Sequence, residues 1–479
     1  MSGYIEGVDR EQSTLFPDRL EDWIGEDHAV RVVDVFVDTL DLSDYGFDRT
    51  TPAKTGRPGY HPSVLLKLFI YGYLNRVASS RRLEREAGRN IEAMWLTGRL
   101  APDHKTIADF RRDNSTAIRK TCSRFVELCR RMGVLNGASV AIDGSKFKAV
   151  NNRDRNFTAG KVKIRISHLE DSAARYLEEM ARADRREQSD VQVMKIERLK
   201  EKLDRVRQEV CRLEKIAREL KDMPDGQLSL SDPDSRSMAT RGKGTGLVGY
   251  NVQTAVDTQS HMVVAHEVIN IGNDRAQLSP MAKAAKMALK VDKLQAIADR
   301  GYFSGDELLS CHQNGITAIV PRPDTSGNRK KGMFVKADFI YDTQTDTYSC
   351  PARETLVYRY TREERGQMQR RYWQTKCQYC ALKTRCTTGK ERRITRWEHE
   401  HLIEEMYAQM DEKPDLMRIR RCTVEHPFGT IKAWMGSTHF LTRKLPNVRA
   451  EMALNVLAYN IKRMINMIGV RSLIQGMGA

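Results

Sequence analysis

The chain has 479 residues, 40% of them hydrophobic and 30% charged, which excludes a collagenous, wholly disordered or membrane-embedded chain. No apolar run approaches the roughly 18 residues of a membrane span. The start, MSGYIEGVDREQSTLF, carries acids where a secretory leader would be basic, so neither membrane insertion nor export is expected. Nine cysteines, an odd number mostly standing alone, fit a reducing cytoplasm.

Lys and Arg number 80 against 63 Asp and Glu, a net charge of +17. Residues 54–131 hold 17 basic and 7 acidic side chains, so +10 of that charge lies in one stretch. Such clustering points to a polyanionic partner, nucleic acid above all; the alternative is a generally basic, solvated surface.

Residues 15–135 read as helices. Pro62 stands at a helix start, and Leu65, Leu66, Phe69, Ile70, Tyr73 and Leu74 recur at three- and four-residue spacing, which predicts a core helix. Two shorter basic patterns, SSRRLEREAGRNIEAMWLTG and APDHKTIADFRRDN, are compatible with a helix-turn-helix reader of DNA. At 139 the chain turns strand-like: ASVAIDGSKFKAV predicts a buried strand ending in a turn at Asp143-Gly144. Heptad-like spacing follows at Ile166, Leu169, Ala173, Leu177 and Met180, then at Ile196, Leu199, Leu203, Val206, Val210, Leu213, Ala217 and Leu220. The polar break at 183–190 predicts two helices folded back as an antiparallel pair; one long helix in an intermolecular coiled coil is the alternative.

From 240, RGKGTG leads into two alternating runs joined by a turn at Asp257 to Ser260, which reads as a hairpin. SPMAKAAKMALK reads as a helix, KLQAIADRGY as a short strand ending in Asp299, GDELLSCHQNG as a helix and ITAIVPRP as a strand. The order predicts a mixed α/β sheet with one long interruption. Residues 330–398 lose regularity and hold Cys350, Cys377, Cys380 and Cys386; beyond 400 helical spacing returns.

Three acids stand out by context: Asp143 and Asp299 at strand ends, and Glu425 in RCTVEHPFGTIK. A carboxylate at the end of a central strand is costly unless paired, and a divalent cation would pair it. Each acid alone is weak evidence, since a single Asp after a strand is more often a turn or cap residue. Arg421 and Lys432, at −4 and +7 from Glu425, fall on one face of a 3.6-residue helix beside Val424, Phe428, Ile431 and Trp434. Asp257 is the rival second acid, though DTQS suits a hairpin turn; His426 suits helix packing or a DNA-facing role. Cys377 and Cys380 have metal-knuckle spacing, and with Cys386 and Cys350 would make a structural zinc site, His399 and His401 being possible substitutes.

With these residues in place, the sequence resembles the DDE transposases of bacterial insertion sequences. GRPGYHPSVLLKLFIYGYLN resembles the helical domain that precedes catalysis, and AIDGSK, ADRGY and EHPFGTIK resemble the three acid-bearing motifs in order. A Y-x2-R-x3-E-x6-K signature is matched at Arg421, Glu425 and Lys432, with Arg418 where the tyrosine would stand. The resemblance implies a ribonuclease H-like α/β catalytic domain over 136–479, after an all-α, DNA-binding domain over 1–135. Insertions would lie at 161–222 (a helical hairpin) and 330–398 (Cys-rich).

It further implies Asp143, Asp299 and Glu425 as the catalytic triad, holding two Mg²⁺ ions that Mn²⁺ can replace. Lys146, Lys148, Arg300, Arg421 and Lys432 would contact phosphates. The partner would be double-stranded DNA, both the element's terminal inverted repeats and the target, bound by a homo-oligomer. Two other readings stay open: a nuclease of the same fold that cuts without joining, and a DNA-binding regulator without catalysis.

Overall fold

In a computed structural model, the described residues are 19–52, 58–185, 190–223, 225–239, 246–322 and 327–478. The N-terminal acidic stretch, much of the polar break at 183–190 and most of RGKGTG lie outside them. In chain order come helices α1 (Ala29–Asp38), α2 (Pro62–Leu74), α3 (Ser80–Ala87), α4 (Ile91–Thr97), α5 (His104–Asp113) and α6 (Ser115–Arg131). Then follow β1 (Ser139–Lys148), β2 (Asn156–Thr158), α7 (Ala159–Asp184), α8 (Asp190–Lys221), β3 (Gln227–Ser229), β4 (Arg236–Ala239), β5 (Gly246–Asp257) and β6 (Val263–Ile269). Next are α9 (Leu278–Leu289), β7 (Leu294–Ile297), α10 (Gly305–Gln313), β8 (Ile316–Ile319), β9 (Ile340–Asp342), β10 (Thr347–Ser349), β11 (Thr355–Glu364), β12 (Gln367–Trp373), α11 (Lys383–Cys386) and β13 (Ile394–Trp397). The chain ends in α12 (Glu400–Glu412), α13 (Leu416–Gly429), α14 (Leu445–Ile468) and α15 (Val470–Gly478). This is a mixed α/β protein with a helical N-terminal region.

The chain divides into two compact units. Met1–Asn136, Gly144–Gly272 and Val424–Ala479 form the first; Gly137–Asp143 and Asn273–Thr423 form the second.

In the first unit, α2 is the core helix its spacing predicts. His61 caps it by accepting from Ser63 N, Pro62 opens it, and Leu66, Leu68, Phe69 and Ile70 are fully buried. The stretch 80–97 forms two helices rather than one, because Asn90 accepts from Glu92 N and Ala93 N and so caps a new helix after Gly88. α14 is buried along most of its length and packs on α2, α5, α6 and β6. β5 pairs antiparallel with β4 and β6, and the β5–β6 turn is held by Asp257, whose Oδ2 accepts from Ser260 N and Ser260 Oγ, each at 2.7 Å. Asp257 is therefore a buried turn residue.

The helices α7 and α8 pack as an antiparallel pair: Val162, near the start of α7, shares a cluster with Leu213, Ile216 and Leu220 at the end of α8. Leu199 and Leu203 of α8 are also buried, whereas Leu177 of α7 is half exposed.

In the second unit, β1, β7 and β8 run parallel, and Gly137–Asp143 supplies only the first half of β1. The expected turn at Asp143-Gly144 is absent: β1 continues to Lys148, since its later residues gain ladder partners such as Val248, whose carbonyl accepts from Ala149 N.

Residues 340–397 are not irregular as expected. They form an antiparallel sheet of order β13-β12-β11-β10-β9, built on Phe339, Tyr348, Leu356, Tyr372 and Ile394. Arg396 lies 3.6 Å from the Tyr341 ring centroid, so aromatic and guanidinium packing replaces the aliphatic alternation that marks most strands.

Gly72 tests the packing of the first unit. A Cβ there would lie 2.5 Å from Leu83 Cδ2 and 2.6 Å from Val77 O. Gly72→Ala is expected to destabilise the protein by about 1–3 kcal/mol, read as a lower denaturant midpoint.

Candidate active site

The site begins with strand register. β1 and β7 match Ser139 to Gln295, Val140 to Ala296 and Ala141 to Ile297. Two residues beyond the last pair stand Asp143 and Asp299, at equal offset and on the same face, because side chains along extended chain repeat every two residues. The Asp299 backbone is still extended, at φ −83° and ψ 172°.

Two carboxylates side by side repel unless a cation stands between them. Here the cation is Arg420 of α13, in the same unit. Its Nη2 lies 2.6 Å from Asp143 Oδ1 and 3.8 Å from Asp299 Oδ2, and donates to Ile142 O at 3.3 Å. The Arg420 side chain is 13% exposed, against 25% for Asp143 and 45% for Asp299, so the acids open to solvent and the arginine sits beneath.

Asp299 is anchored separately: its Oδ1 accepts from Gly301 N at 2.8 Å, capping a short 3-10 turn. The cap role and the site role thus coexist on one carboxylate. Tyr302, buried next to this turn, has its phenol pushed well above its ordinary pKa by burial and by Asp274, Asp143 and Asp299, and so keeps its proton at neutral pH.

Glu425 lies five residues beyond Arg420 on α13 and is exposed, as are Arg421 and Cys422. The straight face expected through Lys432 is interrupted. Pro427 removes one amide donor, and after Gly429 the helix widens into a π-turn, Thr430–Trp434. Val424, Phe428 and Ile431 are buried as their spacing suggested, while Trp434 is 64% exposed.

Lys432 donates to Ser145 Oγ at 2.6 Å and to Lys146 O at 3.1 Å, and lies 4.4 Å from the Phe147 centroid. Its amine holds the second half of β1 in place instead of standing open for phosphate. Lys148, Arg300 and Arg421 are exposed, and Lys146 is partly covered. His426 packs internally: the Tyr459 hydroxyl donates to His261 O at 2.6 Å, which leaves its oxygen to accept from His426 Nδ1 at 2.7 Å.

Much of the basic stretch 54–131 is already committed. Lys67 pairs with Asp34 and Asp38, Arg119 with Glu267, Arg112 with Asp109 and Asp113, and Arg111 is buried against Tyr73. Arg81, Arg82, Arg85 and Lys105 are exposed on α3 and α5.

Cys350, Cys377, Cys380 and Cys386 all line one small cavity beside the sheet of the second unit. Burial raises the Cys386 thiol pKa; Arg392 opposes this, and the other three cysteines add to it. Among the described residues, however, no three His, Cys, Asp or Glu side chains are grouped closely enough to hold a metal ion. For the acids, the fit is that of two carboxylates converging on one cationic group, which is the donor chemistry Mg²⁺ takes.

Sequence reasoning missed Arg420, Gly301 and Tyr302. Arg420 and Arg421 are indistinguishable by composition, and only register and helix phase bring the former to the acids. Gly301 and Tyr302 were within sight in ADRGY, where glycine follows the acid by two residues.

Residues 18–113 match the family model described as Transposase domain (DUF772), and residues 225–461 match the model described as Transposase DDE domain. The chain belongs to the DDE transposases of insertion-sequence type. The second match includes Asp299 and Glu425, while Asp143 falls outside both. No curated protein matches. Among solved structures, a cryo-EM structure of the piggyBac transposase synaptic complex with hairpin DNA is similar at 8% identity and a TM-score of 0.34, over 94% of this chain and 79% of that one. No helix among the described residues is long and apolar enough to cross a membrane.

A Cβ on Gly301 would stand 2.9 Å from Asp299 Oδ1. Gly301→Ala is expected to displace that carboxylate and lower transposition by about 10- to 100-fold with the thermal midpoint little changed, measured by a transposition assay and by calorimetry.

Proposed function

We propose that this transposase binds the terminal inverted repeats of its own insertion sequence, cuts the DNA at the element ends and joins them to target DNA. The observation that carries the reading is the parallel register that delivers Asp143 and Asp299 to one cation in a chain of this family. Asp143, Asp299 and Glu425 would hold two Mg²⁺, or Mn²⁺ in their place, within a ribonuclease H-like core. Bound there, the metal would activate an attacking oxygen and stabilise a leaving one.

In the first step water forms a new bond to phosphorus and the P–O3′ bond breaks, leaving a 3′-hydroxyl and a 5′-phosphate. In the second, that hydroxyl attacks a target phosphodiester and displaces another 3′-oxygen. Lys146, Lys148, Arg300 and Arg421 orient the phosphates, and Lys432 acts through its hold on Ser145 and the Lys146 carbonyl. Residues 1–135 supply the sequence-reading surface, with segments 161–222 and 330–398 inserted in the catalytic domain. Two DNA ends require more than one copy, and the work is done in the cytoplasm on the bacterial chromosome.

The test uses purified protein, labelled duplexes carrying the DNA that flanks the gene, and Mg²⁺ or chelator. Native protein is expected to nick at the end and join it to a second duplex, while Asp143→Ala, Asp299→Ala and Glu425→Ala bind the duplex and do not cut. Cutting by any of these variants removes that acid from the triad. Cleavage without joining supports a nuclease, and binding without cleavage by native protein supports a regulator.

The four cysteines are proposed to hold a structural zinc ion as thiolates: all four line one cavity, and the ion would draw together side chains that do not yet stand within reach of a shared metal. Protein purified without chelator is expected to carry one zinc per chain by elemental analysis, and Cys380→Ser to lose most of it. A native protein free of zinc after growth in zinc-supplemented medium refutes the site.

A further inference from the structure

We propose that Arg420 is a positioning residue that competes with divalent metal for Asp143 and Asp299, so that metal enters only when the guanidinium moves off the carboxylates. This inference rests on the proposed function, in which those aspartates are metal ligands.

The argument starts from hydrogen-bond supply. A guanidinium has five N–H donors in a planar fork, and a settled arginine–carboxylate pair uses two of them in parallel. Arg420 departs from that pattern. Its Nη2 carries two hydrogens, which face Asp143 Oδ1 at 2.6 Å and Ile142 O at 3.3 Å, while Asp299 Oδ2 at 3.8 Å lies beyond hydrogen-bond reach. Its Nε is buried without a hydrogen-bond partner. The Nε donor is idle and Asp299 is reached by charge alone, so the side chain is not locked on the pair in the two-bond geometry of a settled arginine–carboxylate contact.

The acids are less dependent on the arginine than it is on them. Asp299 has a second anchor that does not involve Arg420, the Gly301 N–H donated to its Oδ1 at 2.8 Å. The backbone of Asp143 is carried by β1, whose pairing with β7 runs to Ala141. Withdrawal of Arg420 would therefore leave two carboxylates at the same place with one fewer positive charge between them, a stronger site for a divalent ion. With Arg420 in place, an incoming cation meets both steric occupation and like-charge repulsion.

The experiment is Mn²⁺ binding to the full-length protein without DNA, followed by calorimetry and by the electron paramagnetic resonance signal of free Mn²⁺. Native protein is compared with Arg420→Gln, Asp143→Asn and the exposed-charge control Arg418→Gln. Arg420→Gln is expected to bind Mn²⁺ about tenfold more tightly, within the usual range for two coupled ligands. Asp143→Asn is expected to lose the site, and Arg418→Gln to resemble native protein.

Unchanged or weaker binding by Arg420→Gln, with the site still lost in Asp143→Asn, overturns the competition while leaving the metal-site reading intact. Equal tightening in Arg418→Gln overturns it as well, because the effect would then be net charge. Native-like binding by Asp143→Asn overturns the metal-site reading and the inference together. Should Arg420→Gln fail to fold by circular dichroism, Arg420→Lys is the second variant: it keeps one charge without the planar fork, and absence of any tightening in it overturns the proposal.

Discussion

Two carboxylates placed side by side at the ends of adjacent parallel strands repel each other and draw in positive charge, and much else in this site answers that constraint. The register between β1 and β7 sets the problem by carrying Asp143 and Asp299 to equal offsets past Ala141 and Ile297. Arg420 answers it from α13, and the Gly301 amide answers part of it from the chain next to Asp299. The phenol of Tyr302 is pushed up first by its burial and then by the negative charge of Asp274, Asp143 and Asp299, so it adds no further charge at this point.

How much of this was legible depended on whether the signal was local. The α2 core helix, the α7–α8 seam and the β5–β6 hairpin each follow from spacing within a few residues, and each forms where its pattern lies. Asp143-Gly144 misled because a turn-forming pair sits inside a strand whose partners lie more than a hundred residues later. The sheet at 340–397 was hidden by its composition. Its core is tyrosine-rich and its faces carry arginines stacked on rings, so hydropathy alternation is weak although the pairing is regular.

The site shows the same division. Aspartates in AIDGSK and ADRGY are visible as motif residues, yet nothing local tells that they share a face. The choice between Arg420 and Arg421 turns on helix phase relative to a strand end, which the sequence does not encode within reach of either residue. Lys432 was placed on one face with Arg421 and Glu425 because a straight helix was assumed. Pro427 and the π-turn change its direction, and its amine ends on Ser145 and the Lys146 carbonyl.

The burial of α14 against α2, α5 and α6 has a consequence for how the protein is made. Those three partners end by Arg131, whereas α14 begins at Leu445. At roughly 5–20 residues per second, the interval between them during synthesis is on the order of 15 to 60 seconds. Throughout it, the apolar faces that α14 will cover stay open on the nascent chain. The enzyme's first helices can reach their final packing only when its last ones emerge, so a truncated message yields a product that is sticky rather than partly functional.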